Sequence, residues 1–348
     1  MLKRFKQATL QSLKSAGVST LVQNSRWRRQ RLLILAYHGV STGDEHLWNG
    51  SMYLPVEMFR ARLETIARSG CAVLPLDEAV TRLYANDLPD RSVAITFDDG
   101  NSDFKQNAFP LLREFGFPAT LYLTTFYSQY NKPIFGIFCE YLLWKGRGRT
   151  LDLKTITGRD SKIELNSKAA EDAAFREIDA FVKAQKSSAE EKTALAEMLA
   201  GQLKLDYDAL IEKRIMQLLT PEEVTRLAAD GVDIQLHTHR HRTPLDRDLF
   251  LREIEDNRRS IQAMTASSPS HFCYPSGVYD HTFLPWLREA GIVSATTCET
   301  GFASQSSNQL LLPRFLDNAA LSPIEFESWL TGVSAALPRR RERKVNAA

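Results

Sequence analysis

Ser92-Val-Ala-Ile-Thr-Phe-Asp98-Asp99-Gly100 is the stretch from which the rest of the chain can be read. Val93, Ala94, Ile95 and Phe97 form the apolar run of a short strand covered on both faces. It ends in two adjacent carboxylates and a glycine. Neighbouring carboxylates repel, and desolvation raises their pKa, so packing alone gives no reason for the pair. A cation would relieve that repulsion, and Gly100 permits the sharp turn that brings both side chains into one cleft. The complement is His237-Thr-His-Arg-His241, which follows a second apolar strand, Val232 to Leu236. One Asp with two His is an open, three-ligand set suited to a catalytic divalent metal such as zinc.

Thr96-Phe-Asp-Asp-Gly100 together with His237-Thr-x-x-His241 resembles the paired signature of the polysaccharide deacetylase (NodB-homology) family, the fourth carbohydrate esterase family. Tyr37-His38-Gly-Val40 and Phe272-Cys-Tyr-Pro-Ser-Gly277 resemble its flanking motifs, in the same order. The resemblance spans residues 32 to 316. It implies a distorted TIM-like (β/α)7-8 barrel with chemistry at the carboxyl ends of the strands.

The strand and helix signals agree with that architecture. Leu32 to Tyr37 reads as the first strand, with His38 at its carboxyl end. A helix opened by Pro55 and ended near Gly70 follows, then a strand over Cys71 to Leu74 and a helix capped by Asp77. After the Asp-Asp strand come a helix over 103–115 and a strand over 118–124. From about 134 to 216 the rhythm breaks into a hairpin or loop (150–165) and two amphipathic helices, the second opened by a Ser188/Glu191 capping box. This mainly helical insertion can be a lid, a substrate shelf, an oligomer contact or simple decoration. Thr220-Pro-Glu-Glu223 restarts the rhythm, which continues through a helix over 247–264 and strands over 271–274, 292–297 and 310–315. The domain reading is therefore an N-terminal extension (1–30), a barrel (31–337) and a basic disordered tail (338–348).

A content of 43% hydrophobic and 25% charged residues is that of a globular protein, and a net charge of +2 says little about partners. The distribution says more, because eight basic residues and no acidic one precede Asp44. Leu2, Phe5, Thr9 and Leu13 have helical spacing, so this segment reads either as a basic amphipathic helix on an anionic membrane or as a solvated arm packed on the domain. Polar residues interrupt every apolar run there, which argues against a cleaved signal peptide, and no run reaches transmembrane length. Cys71, Cys139, Cys273 and Cys298 are scattered and read as reduced core residues, so a cytoplasmic location is expected, peripheral to the inner face of the membrane if the N-terminus binds it. The basic ends lack interleaved aromatic residues, and no nucleic-acid partner is expected.

Carried over residue by residue, the resemblance makes Asp99, His237 and His241 the metal ligands and Asp98 the general base. It implies Zn2+, with Co2+, Ni2+ or Mn2+ as alternatives. The main-chain N–H of Tyr274 is its oxyanion donor, and Tyr274 and Pro275 lie against substrate. Two departures stand out. Where many members carry a base-tuning arginine, this chain has Ser268-Pro-Ser-His-Phe-Cys273, so Arg314 is the candidate to supply that charge. No histidine follows His281 to act as the family's general acid, so His38 is the substitute by position. The expected activity is metal-dependent hydrolysis of N-acetyl groups on a polysaccharide, oligosaccharide or lipid-linked glycan in envelope or exopolysaccharide assembly. The alternatives are a degenerate glycan-binding module and an amidohydrolase acting on a small non-sugar amide.

Overall fold

Seven short strands, each followed by chain that returns over the outside, close into one parallel barrel in a computed structural model describing residues 2–336. They are β1 (Leu33–Tyr37), β2 (Val93–Phe97), β3 (Thr120–Leu123), β4 (Asp233–Leu236), β5 (His271–Cys273), β6 (Ser294–Thr300) and β7 (Leu312–Leu316). Chain order is also spatial order, and β7 pairs with β1 to close the ring. Leu35 therefore faces Ile95 on one side and Phe315 on the other.

The period-2 alternation of a strand sorts side chains between two environments. Val93, Ile95 and Phe97 join the outer core with Phe59, Leu63 and Phe104, whereas Ala94 packs with Ile34, Tyr122, Cys273 and Leu312. The second set lines the barrel interior. Continuing the alternation along β2 carries Thr96 and then Asp98 onto that same inward face, and Arg314 follows Leu312 on β7. A carboxylate and its guanidinium partner thus reach one interior from opposite sides of β1.

The expected elements are largely present, with shifted ends. Two readings need correction here, and the insertion after β3 holds more helices than the two expected. Cys71–Leu74 forms no strand; Val73 makes a single parallel bridge to Val93 before the chain turns into the helix α1 (Leu76–Ala85). Asp77 does not cap that helix, because Pro75 holds the cap position; Asp77 lies in the first turn, 3.1 Å from His271.

The stretch between β3 and β4 folds around a core of its own. It comprises α2 (Phe135–Lys145), a hairpin pairing Thr150–Asp152 with Lys162–Glu164, α3 (Lys168–Gln185), α4 (Ala189–Gln202) and α5 (Tyr207–Glu212). Phe138, Tyr141, Leu142, Leu151, Ile178 and Leu199 are buried together there. The Ser188/Glu191 capping box is formed. At the N-terminus a 14-residue helix, Leu2–Ser15, runs against the C-terminal helix Pro323–Thr331, with Lys6 on Glu325 (3.1 Å) and Lys14 on Glu327 (2.6 Å). The expected basic tail, 338–348, lies outside the described residues.

Candidate active site

Asp98 leaves β2 inside the barrel, where it is 2% exposed. Arg314, fully buried, holds it with two parallel bonds: Nη1 donates to Oδ1 and Nη2 to Oδ2, each at 2.7 Å. The guanidinium is fixed in turn by the Thr297 carbonyl at 3.0 Å and the Thr96 hydroxyl at 3.3 Å. Burial alone would raise the Asp98 carboxyl, but the charge and bonds of Arg314 outweigh it and hold the group below its ordinary value. The arginine expected from elsewhere in the chain is therefore present beside the first aspartate.

The next residue faces a different way. Asp99 and Gly100 both adopt left-handed backbone, with φ of 72° and 88°. That double turn breaks the strand alternation and swings the Asp99 carboxylate toward the loop after β4. A Cβ on Gly100 would lie 2.3 Å from Leu123 Cδ1, so the turn requires glycine on two counts.

His237 and His241 each place Nε2 3.2 Å from Asp99 Oδ1. Ligands at about 2.0–2.2 Å in a tetrahedral site stand about 3.3–3.5 Å apart, so the spacing suits one shared cation. The His237 tautomer suits it too. Its Nδ1 lies 2.8 Å from the Cys273 carbonyl, which can only accept, so Nδ1 carries a proton. In the neutral ring, Nε2 is then the nitrogen left with the lone pair a cation would take; without a cation the same Nε2 donates to Asp99. Burial opposes the charge on Asp99, but the two histidines overcome it and hold the carboxyl well below its usual range. Cys273 also lies near Asp98 and His237, yet burial pushes its thiol far up, leaving it a poor ligand.

His38 sits at the end of β1, half-buried, with Nε2 3.8 Å from Asp98 Oδ2. The expectation for Tyr274 fails on this geometry. Its main-chain N–H donates to the Thr296 carbonyl at 3.2 Å and its phenol to Leu310 O at 3.0 Å, because it ends β5 inside the β5–β6 ladder. Pro275 is likewise buried; a cavity opens above Asp99 and His241 that none of Tyr274, Pro275, Asp98, His38 and His237 lines. That cavity, about 410 Å³, is walled by Trp48, Met52, Tyr53, Tyr127, Glu140 and Arg240 among others.

The histidine loop is held by residues that motif reading passed over. Asn257 accepts from the His237 N–H at 2.9 Å and donates to Leu123 O at 2.9 Å. Glu253 accepts from the Arg240 N–H at 2.8 Å and from the Arg242 side chain at 2.7 Å. Both lie on the helix Arg247–Thr265 among the buried Phe250, Ile254 and Ile261. Polar residues in phase with that apolar stripe were the available signal. Between His237 and His241, His239 turns away to meet Thr125 Oγ1 at 2.8 Å, while Thr238 Oγ1 accepts from the Arg242 N–H at 3.0 Å.

The family model for polysaccharide deacetylases matches residues 85–162 and 178–295, more than half of the chain. The chain belongs to the polysaccharide deacetylase family. A curated relative, YxkH of Bacillus subtilis (strain 168), named for the same activity, is 34% identical over 94 residues, covering 27% of this chain and 32% of its own. The aligned part is thus about a third of that relative's length.

The barrel is also similar to solved deacetylases. The deacetylase PplD of Streptococcus pyogenes, in complex with acetate, matches with a TM-score of 0.54 and 20% identity over 84% of this chain and 95% of that one. A polysaccharide deacetylase from Bacillus cereus gives 0.53 and 13% over 87% and 69%. IcaB from Ammonifex degensii gives 0.51 and 15% over 86% and 97%. At these identities the likeness shows the fold. His38 and Arg314 both fall outside the segments matched by the deacetylase family model, the first just after β1 and the second on β7.

Proposed function

We propose that this deacetylase-family chain hydrolyses the N-acetyl group of an amino sugar within a polysaccharide, oligosaccharide or lipid-linked glycan, and that it does so with a divalent cation. The observation that carries the reading is the division of labour between adjacent aspartates: Asp98 is clamped by Arg314, Asp99 is turned toward two histidines. Asp99, His237 and His241 would hold the cation, for which the donor set fits Zn2+ best, with Co2+, Ni2+ and Mn2+ as alternatives. Such a cation acidifies water and polarises an amide carbonyl.

The remaining work falls to the chain. Asp98 is ionised at neutral pH and takes the proton from the attacking water. Each of its oxygens bonds to Arg314, which fixes the orientation and leaves a second lone pair for the proton. His38, next to Asp98, delivers a proton to the departing amine. Arg240 and Glu140 on the cavity wall can position sugar hydroxyls.

We also propose that the exposed Phe5 and Leu21, with the neighbouring basic residues, dock the chain on the cytoplasmic face of an anionic membrane, where envelope or exopolysaccharide precursors are made. Acetate release from N-acetylglucosamine oligomers and from cell-envelope glycan extracts tests the catalytic reading. Zinc-loaded protein should release acetate and a chelator should stop it. No release from any acetylated glycan by metal-loaded protein would overturn it.

A further inference from the structure

A second cavity, about 650 Å³, adjoins the one above Asp99, and Tyr127 and Ile134 line both. One wall is the loop after β3, with Phe126, Tyr127 and Tyr130; the other is the insertion, with Phe138, Thr193 and Tyr207. We propose that this chamber is a glycan-binding subsite, in which the insertion takes the sugar units adjoining the one being deacetylated. The inference rests on the deacetylase reading for which sugar occupies the first chamber, and on the following geometry for the rest.

Pyranose rings have apolar C–H faces and a hydroxyl edge, so they bind where aromatic faces sit beside fixed polar groups. The chamber has both. Tyr130 offers the exposed ring, 48% exposed and braced at 5.4 Å by Phe126, whose own ring is engaged by Tyr127 (5.1 Å) and Arg240 (5.2 Å). Lys132, Lys192, Thr193 and Glu197 supply donors and acceptors along the sides of the chamber. An acyl chain has no use for those four polar groups. The wall is also tied to the catalytic loop. The Phe126 N–H donates to His239 O at 2.8 Å, the Phe126 and His239 rings meet edge-on at 5.5 Å, and Thr124 Oγ1 donates to Thr238 O at 3.0 Å. A sugar on the aromatic wall would therefore be held in fixed register with the residue at Asp99. The insertion is a specificity element on this reading.

The test uses zinc-loaded protein and two variants, Tyr130→Ala, which removes an exposed ring, and Ala194→Trp, which fills the chamber from an exposed helix position. KM is measured for N-acetylglucosamine oligomers of increasing length, and binding is measured for the corresponding glucosamine oligomers, which are not turned over. KM for the native chain should fall with length. Tyr130→Ala should weaken long oligomers about tenfold and leave the shortest unchanged, an effect of the size of one lost aromatic contact. Ala194→Trp should remove the length dependence. If the chain hydrolyses no acetyl group, the deacetylase reading fails while the binding series still decides the subsite. Length-independent binding, or equal values for all three proteins, would overturn the subsite. A parallel series with a polyprenyl-linked N-acetylglucosamine separates the sources: a loss confined to that substrate would make the occupant a lipid and overturn the subsite.

Discussion

Asp98 and Asp99 are the same residue type at one strand end, yet their surroundings differ, and the proposed function gives them different work. Asp98→Asn is expected to keep its metal and lose about two to four powers of ten in turnover, since the general base is gone. Asp99→Asn removes an anionic ligand and should be both metal-depleted and inactive. Metal per chain by elemental analysis, beside turnover, separates the two; loss of metal in both equally would show the assignment to be wrong. Arg314 gives a pH prediction with a definite sign. Burial raises the Asp98 carboxyl and Arg314 overcomes that, holding it low, so Arg314→Met should let the pKa rise. Activity needs the ionised form, so the acid limb of the pH–rate profile should move to higher pH. The folded state of the native chain gains stability from the depressed Asp98 above its unfolded pKa and loses it as pH falls through the folded value. Arg314→Met should forfeit that gain and cost about 3–5 kcal/mol, because it leaves a buried carboxylate unpaired. Arg314→Lys keeps the charge without the paired bonds and should move the profile less.

The elements were legible where one period dominated. The strands at 33–37, 93–97 and 120–123 read clearly as apolar runs, and the capping boxes at Ser188 and Thr220 stood at their helix starts. Cys71–Leu74 misled because a four-residue apolar run cannot be told from a loop that merely touches the sheet. Tyr274 misled for a different reason: whether a main-chain N–H is free depends on the ladder of the neighbouring strand, which no local motif encodes. Arg314 was reachable only by asking what could replace a missing charge. Glu253 and Asn257 were visible as polar residues on an apolar stripe, but their target, the histidine loop, is a tertiary fact. The turn at Asp99–Gly100 shows how strictly a local element can be required. Gly100→Ala meets both an unfavourable φ of 88° and a 2.3 Å approach to Leu123. It should cost about 1–3 kcal/mol or more. Because the turn aims Asp99, metal content should fall along with melting temperature. An unchanged metal content with a lowered melting temperature would mean that Asp99 finds its place without this turn.

At the scale of the whole molecule, the N-terminal segment is both part of the fold and a candidate for contact beyond it. Leu10 is 1% exposed, Arg28 Nε donates to Leu330 O at 2.8 Å, and Trp27 meets Phe302 edge-on at 5.4 Å. Deleting 2–30 would strip these contacts and destabilise the barrel, so a truncated chain cannot report on membrane binding alone. The outward face can be changed without touching them. Phe5 and Leu21 are each 73% exposed, and Arg4 and Arg26 are exposed nearby in sequence. Lys6 and Lys14, by contrast, are engaged with Glu325 and Glu327, so fewer charges are free than the sequence count suggests. Each basic residue near an anionic surface contributes about 1 kcal/mol, and inserted apolar side chains add to it. The double variant Phe5→Ser/Leu21→Ser should keep the melting temperature and the turnover of soluble oligomers while losing co-sedimentation with phosphatidylglycerol vesicles. Binding of the native chain should also fall with added salt, because its electrostatic share is screened. If native and variant proteins sediment alike, or if the native chain binds neutral vesicles equally well, the membrane-facing role of this helix is wrong and its place is solely to brace the barrel.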